Sequence, residues 1–367
     1  MPVWKECAAM HDDRMVYTKR CERLRSLAEA DNLLIVNENN IRYLTGFTGG
    51  DGALLVGPDW MTLLVDGRYT TQAALETQNI EIVEFKARAE GVASVVQSKG
   101  VRFLGFEPLF VSYGEYLRLR DALAQISLEP LSSRIDFLRA IKDDDEVREI
   151  KKAIKIAEKA LTDVRSFIKP GVAEADLAVE LEYRMRREGA GSISFDTIAA
   201  TGPNAALPHA APGNRKVAAG DFVLIDYGAV YNGYHSDETR MFCVGAPSPK
   251  QREAYRLVLE AHDRAIAAIR EGVACGEIDR VARSFLDQNG LGKYFTHGTG
   301  HGVGLDVHEA PRLSTGREEL LEAGMVVTVE PGVYFPGEWG IRIEDMALVA
   351  KDGCEVLTTP PEGLVEL

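Results

Sequence analysis

Short apolar runs recur through the first third of the chain, at 33–36, 53–56, 62–65, 80–83 and 101–106. Helical stretches separate several of them. A helix over 17–30, with Leu24 and Leu27 on one face, precedes the first run. This alternation predicts a small α/β domain with a mixed or parallel sheet, assigned to residues 1–138.

From about Arg139 the pattern changes. Asp143 followed by Glu146 gives a capping-box start to a long helix that runs to about 168 and stops at Pro170-Gly171. A second helix covers about 174–188. Two strands follow, 222–230 and 234–244, joined through Asn232-Gly233, a strong hairpin signal. The plan then repeats: helices over about 250–270 and 276–289, then strands over 326–333 and 340–349. Gly171-Val172-Ala173 matches Gly272-Val273-Ala274, and Gly189 matches Gly290, both at an offset of 101. Two pseudo-symmetric halves sharing one core account for this, giving an α+β domain over 139–367.

Acidic residues interrupt those strands. Asp226 stands in Leu224-Ile225-Asp226-Tyr227-Gly228, Asp237 in His235-Ser236-Asp237-Glu238-Thr239, Glu330 in Thr328-Val329-Glu330-Pro331, and Glu344 in Ile341-Arg342-Ile343-Glu344-Asp345. Carboxylates among Val, Ile and Leu are costly to bury unless paired or bound to a cation. A two-residue turn at Asn232-Gly233 sets Asp237 opposite Gly228, two residues from Asp226. Residues two apart share a face, so both aspartates project from one side, roughly 7–8 Å apart at the backbone. A one-residue slip would separate them. The second hairpin offers Glu330 and Glu344 likewise. His301, in Thr299-Gly300-His301-Gly302, is flanked by glycines that let backbone approach a site. Four carboxylates and one imidazole suit manganese, or cobalt, zinc or iron, better than a thiolate-type zinc site. Shared carboxylates point to two divalent ions about 3.5–4 Å apart, able to activate a water between them.

His209, His297 and His308 lie in Gly/Pro-bounded loops near these motifs. Such imidazoles can contact substrate and shuttle protons, or support the ligands; substrate contact is the favoured reading. His235 reads as a solvated strand residue.

Composition narrows the classes. Apolar content is 46%, charged content 27% and net charge −14, which disfavours nucleic-acid or anionic-membrane partners. No apolar run nears the ~20 residues of a membrane span, and the first 17 residues lack an apolar signal core. Five scattered cysteines without a C-x-x-C pair fit reduced thiols in a cytoplasmic protein.

The segments Ser194-Phe195-Asp196-Thr197, Leu207-Pro208-His209, Ser236-Asp237-x-Thr239-Arg240, His297-Gly298-x-Gly300-His301-Gly302, His308-Glu309, Glu330-Pro331-Gly332-x-Tyr334 and Arg342-x-Glu344-Asp345 resemble the pita-bread metallopeptidases, in their Xaa-Pro branch of prolidase and aminopeptidase P. Asn40-Ile41-Arg42-Tyr43-Leu44-Thr45-Gly46-Phe47 and Asp66-Gly67-Arg68-Tyr69-Thr70 are similar to the creatinase-like N-terminal domain of that branch. The resemblance implies a creatinase-like α/β domain followed by a pita-bread domain with pseudo-two-fold symmetry. It implies two metal ions: Asp226 on one, His301 and Glu330 on the other, Asp237 and Glu344 on both. It further implies that Glu330 accepts the proton of the attacking water, that His209, His297 and His308 lie on the substrate side with Tyr334 and Arg342, and that the first domain covers the cleft in a homodimer. The expected substrate is a proline-containing dipeptide or short peptide, cut at the X-Pro bond. Two alternatives share the fold: a creatinase-type amidinohydrolase, which dispenses with metal, and a non-catalytic peptide-binding protein. The intact ligand set argues against both.

Overall fold

Leu33, Leu34 and Ile35 are fully shielded from solvent because their strand lies inside a sheet. This is seen in a computed structural model that describes residues 13–27, 30–131 and 135–367. The readings made for residues 1–12, Cys7 among them, and for the first helix beyond Leu27 across 28–29 lie outside the described residues. The chain divides into two compact units, Met1–Arg139 and Ala140–Leu367.

In the first unit six strands form one sheet, in the order Glu81–Phe85, Met61–Asp66, Ala53–Val56, Leu33–Ile35, Phe103–Phe106, Ser127–Pro130. The pairings of Ala53–Val56 with both its neighbours are antiparallel and the remaining three are parallel, so the sheet is mixed. Its apolar side packs on Val92, Val95 and Val96 of the helix Arg88–Ser98. The edge strand Ser127–Pro130 carries no apolar run and escapes a reading by periodicity.

In the second unit the capping box forms as expected. The Asp143 side chain accepts from the backbone of Asp145 and Glu146, and the Glu146 side chain accepts from the Asp143 backbone. The helix Asp144–Val164 then packs on Glu174–Arg187, and Pro249–Ala268 packs on Cys275–Gln288. The repeat extends to conformation. Gly171 and Gly272 both have positive φ, 93° and 80°, as do Gly189 and Gly290, 107° and 75°. Ala173 and Ala274 each make a lone antiparallel bridge, to Lys216 and Leu320. Among the described residues no helix is long and apolar enough to cross a membrane.

The first hairpin forms in the expected register, and both hairpins are interrupted at or beside the acids. Asn232 and Gly233 have φ of 44° and 75°, a turn that matches strand twist. Val230 pairs with His235 and Tyr227 with Glu238. The predicted strand 222–230 is interrupted at Gly228, and its partner at Ser236-Asp237. A Cβ on residue 228 would lie 2.0 Å from the Ser236 carbonyl oxygen, so only glycine permits this crossing. The second hairpin is interrupted at Glu330-Pro331 and Ile343-Glu344, since Pro331 has no N–H to offer the ladder. The strand Ile198–Thr201, unforeseen from the sequence, pairs with Phe222–Tyr227 and sets Ile198 opposite Asp226.

Candidate metal centre

The broken strands deliver their acids to one cavity of about 1010 Å³ in the second unit. Asp226, Asp237, His301, Glu330 and Glu344 all line it, and so do His209, His297, His308 and Arg342. Ligand atoms of Asp237, His301 and Glu344 lie within 4.8 Å of one another. The Nε2 atom of His301 is 3.6 Å from Asp237 Oδ2 and 3.4 Å from Glu330 Oε1.

Backbone detail explains how an imidazole reaches this point. A Cβ at Gly300 would meet the Thr328 carbonyl oxygen at 2.0 Å, and one at Gly302 the Ala310 carbonyl oxygen at 2.1 Å. The strand carrying His301 therefore packs too closely for any other flanking residue. Nδ1 of His301 lies 3.1 Å from the Gly302 carbonyl oxygen. A carbonyl only accepts, so Nδ1 carries the proton and Nε2 turns its lone pair toward two carboxylates.

That arrangement is repulsive unless a cation stands between the groups. Asp226 adds a second sign: its Oδ2 pairs with Arg342 Nη2, while its Oδ1 is buried without a hydrogen-bond partner. An orphaned carboxylate oxygen, an outward imidazole lone pair and three more carboxylates fit hard divalent ions.

Residues 148–351 match the model of metallopeptidase family M24, and residues 19–141 that of the creatinase/prolidase N-terminal domain. The chain belongs to metallopeptidase family M24. It is 38% identical over 351 residues to the Xaa-Pro dipeptidase of Pyrococcus furiosus, covering 94% of this chain and 99% of that one. Among solved structures it is similar to the Xaa-Pro dipeptidase from Bacillus anthracis, at 41% identity and TM-score 0.93, over 96% and 100% of the two chains. It is also similar to the X-Pro aminopeptidase from Thermotoga maritima MSB8, at 37% identity and TM-score 0.88, over 95% and 100%.

In this M24 chain the electrostatics of the site follow from burial first and from crowding second. Burial pushes the Asp237 carboxyl well above its usual range, and the charges of Glu344, Asp226 and Glu330 add to it. Burial and the charges of Glu330 and Asp226 do the same to Glu344. Glu330 rises to about 7 through burial, opposed by Arg342. Asp226 is raised by burial, with Arg342 again opposing. Burial lowers His301 to about 3, with His308 contributing, and lowers His297 to about 4. Burial thus disfavours the charged form of every one of these groups.

The histidines are not alike. His308 is exposed to the cavity, its ring edge-on to His301 at 4.3 Å between centroids, and His209 is exposed as well. His297 is engaged at both nitrogens. Its Nδ1 bonds the Gly298 carbonyl at 2.8 Å, so its Nε2 accepts from the Tyr334 hydroxyl at 2.9 Å. Arg342 Nη1 donates to that hydroxyl at 2.8 Å, completing a chain from His297 through Tyr334 and Arg342 to Asp226. Tyr334 is thus buried behind the cavity wall.

Three further contributors carry no role in the sequence reading, although the first two lie in motifs quoted there. Thr239 donates from Oγ1 to Glu344 Oε2 at 2.6 Å and accepts from Arg342 Nε at 3.1 Å. Phe195 and Asp196 line the cavity. Arg312 lines it too, exposed, opposite His301 in the sheet. The Ser194-Phe195-Asp196-Thr197 segment marks the second group; nothing local marks Arg312.

Proposed function

We propose that this M24 peptidase hydrolyses the X-Pro bond at the N-terminus of dipeptides or short peptides, using two divalent ions, with manganese favoured over cobalt, zinc or iron. The observation that carries the proposal is the His301 lone pair facing two carboxylates inside a cavity that also opens onto His209, His308 and Arg312. The similarity to Xaa-Pro dipeptidases along nearly the whole chain supports the substrate class. Asp226 would hold one ion, His301 and Glu330 the other, and Asp237 and Glu344 both.

When bound, the ions would supply Lewis-acid polarisation and a more acidic water. The protein's own groups do the rest. Glu330 accepts the proton of the attacking water and passes it toward the leaving nitrogen. His209 and His308, open to the cavity, donate hydrogen bonds to the oxygen that becomes negative. His297 and Tyr334 fix the Arg342 guanidinium, which in turn orients Asp226. Proline suits the site because its tertiary amide brings no N–H that would need a buried acceptor. Arg312, an exposed cation on the cavity wall, meets the free carboxylate of a dipeptide, which favours dipeptides over longer chains.

The four described cysteines are unpaired, which supports a reducing, cytoplasmic setting. The creatinase-type first domain supports a homodimer, tested by whether the solution mass is twice 40.3 kDa. The activity test is incubation of manganese-loaded protein with Ala-Pro, Ala-Pro-Ala and creatine. Cleavage of Ala-Pro is expected. No cleavage of either peptide would sink the proposal, and turnover of creatine would replace it with an amidinohydrolase.

A further inference from the structure

Asp237 and Glu344 come from different halves of the duplicated domain, yet they must present their oxygens at one fixed spacing to share ions. Each is followed in sequence by another carboxylate. Glu238 follows Asp237 and Asp345 follows Glu344; both are fully buried, and neither lines the cavity. Consecutive residues of an extended chain point to opposite sides, so these two acids meet behind the site.

A single guanidinium joins them. Nη2 of Arg240 lies 3.1 Å from Glu238 Oε2 and 2.8 Å from Asp345 Oδ1, and donates to the Thr359 carbonyl at 2.8 Å. Its Nη1 donates to the Thr239 carbonyl at 3.1 Å and to the carbonyl of Glu344 itself. Asp345 is braced independently by Thr358, whose Oγ1 donates to Oδ1 at 2.6 Å, and its Oδ2 lies 3.0 Å from His262 Nε2. Thr239 is thereby held twice: Arg240 grips its carbonyl behind the sheet, and its hydroxyl touches Glu344 in front.

An ion cluster this deep is a poor source of stability, because desolvation offsets the attraction, and apolar residues of equal volume would serve as well. What apolar packing lacks is direction. The planar guanidinium fork fixes several oxygens at set angles, and an ammonium cannot do so.

We propose that Arg240 is a positioning residue that sets the spacing of Asp237 and Glu344, and so the capacity of the site for its second ion. The inference rests on the two-ion reading above. Groups that orient metal ligands from behind change metal affinity or activity by about 10–100-fold when lost.

The test is Arg240→Lys, which keeps the charge and loses the fork. Manganese is titrated calorimetrically into chelator-stripped protein, and the metal-free melting temperature is measured beside it. The expected result is a dissociation constant for the weaker ion raised about 10–100-fold, with the metal-free melt nearly unchanged. Turnover of Ala-Pro is then low at limiting manganese and partly restored by excess, while KM stays nearly constant. A lower melting temperature with both ions bound at wild-type affinity would overturn the inference. Should Arg240→Lys fail to fold, Glu238→Gln keeps volume and removes the charge that faces Arg240 Nη2; weaker binding of the second ion is expected, and unchanged binding overturns the role. A wild-type protein that binds one ion only sinks the two-ion reading and this inference together. A wild type with two ions and variants that match it sink only the clamp.

Discussion

The Lys142 ammonium lies 2.6 Å from the Glu309 carboxylate, and their side chains are 0% and 2% exposed. The pair ties the start of the second unit to the residue that follows His308. Removing one member of such a pair leaves a bare charge in the interior, at a cost of about 3–5 kcal/mol. Lys142→Met is therefore expected to destabilise strongly in a denaturant titration. The double variant Lys142→Met, Glu309→Leu should recover much of that loss. A double variant as unstable as the sum of the singles would show that the pairing is not what matters.

Asp279 is the comparable anchor under the His297 and His301 segment. Its carboxylate accepts from Arg283, Thr299 and Thr315. Burial raises its pKa, but the Arg283 and Thr315 hydrogen bonds outweigh burial and hold it below the usual carboxylate value. For an acid with a depressed folded pKa, the stability is present above the unfolded value near 3.9 and is lost as pH falls through the folded value. Asp279→Asn should thus cost about 1–3 kcal/mol at neutral pH, a difference that closes below about pH 4. A difference that is flat with pH would assign the loss to packing instead of charge.

Chelation should reverse the usual pH trend at the centre. Asp237 and Glu344 are raised well above normal and Glu330 to about 7, in each case first by burial. An acid with a raised folded pKa contributes stability below its unfolded value and loses it as pH rises through the folded one. Chelator-stripped wild type should lose melting temperature, relative to Asp237→Asn, as pH rises from about 4. Manganese should restore it in the wild type and not in the variant. Melting curves with and without manganese decide this; a stripped wild type that gains on the variant as pH rises would contradict it.

His308 faces the cavity and touches His301 only through its ring. His308→Ala is expected to lower kcat on Ala-Pro by about 100-fold or more with metal content unchanged. Loss of metal, read by atomic absorption, would move His308 among the ligands.

Arg312 provides the length preference in this reading. A charged hydrogen bond lost to Arg312→Ala should lower kcat/KM for Ala-Pro by about 10–100-fold, mainly through KM. Ala-Pro-Ala, whose carboxylate lies one residue further on, should change far less. Equal losses on both peptides would remove Arg312 from carboxylate recognition.

Much of this is legible in the sequence. The Asn232-Gly233 turn, the alternation beside it and the capping box at Asp143 are local signals. Local hydrogen bonding makes them come true, as the pairing of Tyr227 with Glu238 shows. The breaks at Gly228 and Pro331 were less legible, because they depend on what packs against the strand. The strands Ser127–Pro130 and Ile198–Thr201 were not legible at all; their pairing partners, not their own residues, make them strands.

By itself, then, the sequence determined the duplicated helix, helix, hairpin plan and which acids interrupt apolar strands, since turn chemistry and side-chain period are properties of neighbours along the chain. Only the tertiary structure decided which groups meet across it. Arg240 reaches an aspartate 105 residues away, and Arg312 stands opposite His301. His297 spends both nitrogens on its surroundings while His308 stays open. Such contacts are set by sheet register and by the approach of the two halves, and no periodicity within a segment encodes a partner in another.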